Sequence, residues 1–178
     1  MKNNNSGFTI IEIIICLVIF ALVAATAFGL MLGASHSYSS VSAKIDLQLQ
    51  SQLTMNQLRE YIIDCDAGLY YKNNTVYIIN EEDDGSYTAD VFQYKTDGCI
   101  YYGKGTANQT GSGTFSCTVV GTDLLADEVT SFSVTPKSTD GANVSSAVIS
   151  ISFKNNSASC SGVQTVALRN NPPLAVVS

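Results

Sequence analysis

The sequence predicts an α+β chain: one long N-terminal helix, apolar in its lower half, whose upper half packs on a mostly antiparallel β-sheet. Three observations predict it. Residues 13–34 form an apolar run with no charged side chain. Helical periodicity then continues to Asp64, with no proline and no glycine between Gly33 and Gly68. Beyond Gly68 the chain breaks into short alternating segments separated by turn residues, the pattern of strands.

The apolar run spans about 22 residues, or roughly 33 Å of helix, enough to cross a bilayer core. A polar leader of residues 1–7 precedes it, and Glu12 lies just inside. A carboxylate in hydrocarbon costs roughly 2.5 kcal/mol or more, so Glu12 needs a partner. Three readings of the segment compete. A cleaved secretory signal finds a small-residue site at Ala25-Thr26-Ala27, but the apolar run continues past it. A lipoprotein signal ending at Cys16 requires a small residue at position 15, which is Ile15. An uncleaved helix fits best. Lys2 precedes the span and the next cation is Lys44, so the positive-inside rule puts the N-terminus in the cytoplasm and the bulk of the chain outside.

Gly7-Phe8-Thr9-Ile10-Ile11-Glu12 resembles the processing site of type IV prepilins and pseudopilins. The resemblance implies cleavage between Gly7 and Phe8 by a membrane prepilin peptidase, with N-methylation of Phe8. Glu12 then stands fifth from the new N-terminus, where the family keeps its glutamate. The new ammonium of one subunit meets Glu12 of a neighbour if the two are staggered by about one helical turn. A buried pair of this kind gains far more than an exposed one, and either partner alone is penalised. Phe8 and Glu12 are thus the expected assembly residues, and Glu12 the registration device. The competing reading pairs Glu12 with its own chain's amine or lets it snorkel to the membrane interface. The family's helix-breaking proline is absent here; Gly29 and Gly33 are the weak points of the helix, and their spacing also permits close helix approach. Thr9, Cys16 and Thr26 read as small packing residues.

The expected division is a leader at 1–7, a transmembrane and assembly helix at 8–34, an amphipathic continuation at 35–64 and a β-rich ectodomain at 65–178. In the amphipathic part Val41, Ile45, Leu49 and Leu53 step by four, and Leu58 and Ile62 extend the stripe expected to face the sheet. Strands are expected at 69–71, 75–79, 91–94, 99–102, 114–120, 129–135, 144–153 and 163–168. Turns fall at Lys72-Asn73-Asn74, Asp83-Asp84-Gly85 and Asp97-Gly98, and an exposed loop at 103–113. Pro172-Pro173 ends regular structure. Gln57-Leu58-Arg59 and Val166-Ala167-Leu168-Arg169-Asn170 resemble J-type pseudopilins and W-type minor pilins.

The remainder of the 178 residues, about 140, suffices for one compact domain. Net charge is −6 and lysines and arginines are scattered singly, which argues against a nucleic-acid partner. Of the five cysteines, Cys65, Cys99, Cys117 and Cys160 follow the apolar run without any CxxC. They fit disulfides of an exported domain; of three pairings the preferred one is Cys99 with Cys117 and Cys65 with Cys160, and the alternative leaves some as free buried thiols. One histidine, His36, builds neither a triad nor a metal site. The acidic run Glu81-Glu82-Asp83-Asp84-Gly85 lacks the closing glutamate of a calcium loop, since Val91 falls there. No enzyme, metal or cofactor is therefore expected. The resemblance implies a structural subunit, a minor pilin or pseudopilin that primes or caps a type IV pilus or related secretion filament. Its partners would be major and minor pilins, the prepilin peptidase and an inner-membrane assembly platform. It would sit in the cytoplasmic membrane and, after processing, in a filament at the cell surface. The alternative function is a pilus-tip binding module, an adhesin or DNA-uptake subunit, which a lysine cluster or an open tyrosine-lined groove would favour.

Overall fold

The computed structural model describes residues 9–138, 141–174 and 176–177, the last two by backbone alone. Gly7 and Phe8 lie outside the described residues. One helix, α1 (Ile10–Asp64), is followed by β1 (Gly68–Lys72), β2 (Thr75–Glu81), β3 (Tyr87–Tyr94), β4 (Ile100–Gly111), β5 (Thr114–Cys117), β6 (Asp123–Ala126), β7 (Val129–Ser138), β8 (Val144–Lys154), β9 (Ser159–Ala167) and β10 (Val176–Val177). This is the α+β, pilin-like arrangement of one long helix with mostly antiparallel sheets. The chain divides into two compact units between Ser42 and Ala43.

In the second unit the first sheet has the order β1-β2-β3-β4-β5-β10, with β6 also on β4. The second is β7-β8-β9. Every pairing is antiparallel except β10 on β5. The β1–β2 hairpin turns on Asn73 and Asn74, both at positive φ (51° and 60°), the left-handed pair that matches strand twist. Period-two alternation divides the first sheet's side chains. Val76, Ile78 and Phe92 join Leu58 and Ile62 of α1 and Ile149, Ile151 and Phe153 of β8 in the main core. Ile79, Ala89, Val91 and Phe115 form a second cluster.

Two expectations about the sheet are corrected. Residues 103–111 are not an exposed loop; they continue β4, paired with β3 through Ala107. Their glycines fit a close crossing instead. A Cβ on Gly103 would collide with the carbonyl oxygen of Val120, and one on Gly105 with the Val119 side chain. The segment 118–122 therefore crosses β4 as a strap rather than prolonging β5. Lys95 Nζ holds it by donating to Gly121 O at 2.9 Å. Gly103→Ala should lower stability by about 1–3 kcal/mol through overpacking; an unchanged midpoint in urea unfolding would contradict the crossing. The second correction is β10, which lies beyond Pro172-Pro173.

A third correction concerns the helix. Leu58 and Ile62 are buried as expected, but the face they share is completed by Leu47, Ser51, Thr54 and Met55. Ile45, Leu49 and Leu53 lie on the opposite side of the 3.6-residue repeat and are more than half exposed, at 56%, 55% and 57%. Gly162 explains the choice of face: a Cβ there would meet Met55 Cε and Ser51 Oγ at 3.2 and 3.3 Å, so β9 approaches the small side of the helix.

Candidate assembly site

The site is built from the start of α1. Thr9 is its N-cap: Thr9 O accepts from the Glu12 and Ile13 amides at 3.1 and 3.2 Å. The Glu12 amide also donates to Thr9 Oγ1 at 3.3 Å. In return, Glu12 Oε2 accepts from the Thr9 amide and from the Thr9 hydroxyl, each at 3.4 Å. This reciprocal arrangement is a capping box, and it also sets a negative charge at the positive end of the helix. Thr9 is thus more than a small packing residue. The Thr-x-x-Glu spacing was the signal in the sequence, masked by the apolar residues around it. Oε1 of Glu12 has no bond within the chain among the described residues.

Beyond Glu12 the helix carries apolar side chains that are exposed among the described residues. Ile13, Leu17, Phe20, Phe28, Leu30 and Leu32 are all more than half exposed. The helix is long and apolar enough to cross a membrane, with none of its most apolar window buried. Gly29 and Gly33 have open space around them, and Thr26 turns its hydroxyl inward to Val23 O at 2.8 Å.

The other sequence-derived candidates do not converge. All five cysteines are free thiols, and the strand registers explain why the preferred pairs do not form. Cys117 stands opposite Ala107, eight residues along β4 from Cys99, roughly 26 Å of strand. A disulfide needs Cα atoms within about 7 Å. Cys160 lies two residues before Gly162, which touches Ser51 and Met55; Cys65 is ten residues past Met55, roughly 15 Å along the helix direction. Cys65 is fully buried, and burial pushes its thiol up to about 12. Maleimide at pH 8 should therefore leave Cys65 unlabelled in the folded chain and label it in urea; equal labelling would contradict this burial.

The acidic run forms a turn on its own bonds: Ser86 N donates to Asp84 Oδ1 at 2.9 Å, and Thr88 Oγ1 to Glu82 Oε1 at 3.0 Å. Asp64 and Asp66 are also engaged locally. Asp64 pairs with Arg169 at 2.9 Å, and Asp66 Oδ1 accepts from the Glu81 amide at 2.9 Å. Glu60, Tyr61, Asp64, Asn80 and Asp90 line an open cavity of about 330 Å³. Asp90, 3% exposed, accepts from Tyr102 at 2.6 Å; burial first, then this bond, pushes the Tyr102 phenol up. Among the described residues no group of three His, Cys, Asp or Glu is placed to hold a metal. Tyr70, Tyr71, Tyr77, Tyr101 and Tyr102 are all half-buried, and His36 is exposed on α1.

The family model of the prokaryotic N-terminal methylation motif matches residues 2–28. This chain carries the type IV prepilin signature. The match includes Gly7, Phe8, Glu12 and the greater part of the apolar run. Searches of curated proteins and of solved structures each returned no significant match. The signature and the apolar helix together fit a single-pass, membrane-anchored protein of type IV pilin type.

Proposed function

We propose that this chain is a minor pilin or pseudopilin, a structural subunit that primes or caps a type IV pilus or related secretion filament. The observation that carries the reading is the methylation motif at residues 2–28 on an exposed apolar helix, with one carboxylate at its start. In this reading the division is leader 1–7, assembly helix 8–34, amphipathic helix 35–64 and ectodomain 65–178. The prepilin peptidase cuts between Gly7 and Phe8, and Phe8 becomes the methylated N-terminus. Glu12 then registers one subunit against the new amine of the next. The N-terminus faces the cytoplasm before assembly, and the ectodomain reaches the cell surface in the filament. Major and minor pilins, the peptidase and an inner-membrane platform are the partners, and the role is structural rather than catalytic.

The exposed row Ile45, Leu49 and Leu53 supports the reading, because a face that the ectodomain does not use is available to neighbouring helices. Leu49→Gln tests it. The ectodomain should unfold at an unchanged temperature while recovery of the chain with partner pilins drops several-fold. Full recovery would remove the support of the exposed row. The tip-binding alternative has less support: Lys95 is spent on the strap, where it also lies 4.1 Å from the Tyr101 ring centroid.

A further inference from the structure

We infer that the outer edge of β9 is a docking strand for a second copy of this chain, the two β9 strands pairing antiparallel about Val163. The bonds at the two ends of β9 fix which way its backbone points. Asn155 N donates to Ala158 O at 3.0 Å and Leu168 N to Ser145 O at 3.1 Å, and the β8–β9 register between them runs without a shift. Alternate residues therefore bond β8, while Ser159, Ser161, Val163, Thr165 and Ala167 turn their amides and carbonyls outward. Among the described residues β9 pairs with β8 alone. The two edges of this sheet are built differently. β7 carries Pro136, Lys137 and a register shift near each end, devices that keep an edge from pairing. β9 has no charged residue, no proline and no shift, and Val163 on it is 70% exposed.

Charge selects the occupant. The chain carries a net charge of −6, so copies of it repel one another in general. A two-fold pairing about Val163 sets only neutral side chains opposite each other: Val163 on Val163, Ser161 on Thr165 and Ser159 on Ala167. The contact is isologous, and the outward groups of the two strands close on each other with about ten hydrogen bonds. Its two-fold axis stands perpendicular to the sheet. The axis therefore reverses the part of α1 that Gly162 of β9 approaches, at Ser51 and Met55. Subunits side by side in one membrane or filament point this part of α1 the same way, so the β9 pair forms between ectodomains that meet from opposed surfaces. The inference goes beyond the proposed function and uses neither the processing of Phe8 nor the role of Glu12.

The test uses the full chain in vesicles of phosphatidylethanolamine and phosphatidylcholine, with clustering followed by light scattering. Vesicles that carry the chain should cluster with one another, and dye-filled empty vesicles should stay outside the clusters. Val163→Lys sets two like charges opposite each other, and Thr165→Pro removes an outward amide that β8 does not use. Each should slow clustering at least about tenfold while the ectodomain unfolds at an unchanged temperature, and Val163→Thr should stay within about twofold of the unaltered chain. No clustering of the unaltered chain, or clustering that survives both Val163→Lys and Thr165→Pro, would overturn the inference. Equal recruitment of the empty vesicles would overturn it too, since the ectodomain would then be binding lipid rather than its own copy.

Discussion

Glu12→Leu should leave the chain inserted in the membrane and cut its co-assembly with partner pilins at least about tenfold. Insertion survives because Leu is the better residue in hydrocarbon, and Glu12 is the only acid between Lys2 and Lys44. Assembly fails because the neighbour's ammonium is then brought into an apolar interface with nothing to meet it. The capping box does not weaken this expectation. Thr9 satisfies hydrogen bonds of Oε2 but leaves the charge in place, so a cation is still the favoured partner. Membrane fractionation reads insertion, and cross-linking to partner pilins reads assembly. Normal cross-linking of the Leu variant would defeat the registration role.

Leu58→Ala should destabilise the ectodomain by about 2–5 kcal/mol, whereas Leu49→Ala should stay within about 0.5 kcal/mol. Leu58 is fully buried in the main core, the cluster that includes Ile78, Phe92 and Ile149, while Leu49 is 55% exposed. The two side chains sit on one helix and differ only in the face they occupy. Urea unfolding of the full chain in detergent compares them. Similar losses for both variants would mean that the helix buries the face predicted from sequence rather than the one described here.

That contrast also marks where the sequence could be read and where it could not. The helix as a whole was legible, because an unbroken run without proline leaves the backbone no reason to stop before Asp64. Its buried face was not. Counting apolar residues favours Val41, Ile45, Leu49 and Leu53, yet the packed face includes Ser51 and Thr54. Thr54 turns its hydroxyl to Gln50 O at 2.9 Å, and Ser51 is small enough for Gly162 of β9 to approach. A helix with apolar residues on two sides gives no sequence signal for which side meets its own sheet.

The strands show the same division. β8 alternates as expected, with Ala147, Ile149, Ile151 and Phe153 buried, because its inward positions are apolar and its outward ones mostly serine. β4 was obscured by its composition: Gly103, Gly105 and the Thr- and Asn-containing stretch after them resemble a loop. Only the strap at 118–122 reveals why glycine is needed there. At the candidate assembly site, Glu12 stood out through its surroundings and Thr9 did not. A lone charge is conspicuous in an apolar run, while the hydroxyl that orients it is one small polar group among several.

The most direct test of the central claim is the mass of the N-terminal peptide of the chain purified from its membrane. Processing as a type IV prepilin predicts a mature N-terminus at N-methylated Phe8. A chain that still begins at Met1, or one cut after Ala27, would contradict it.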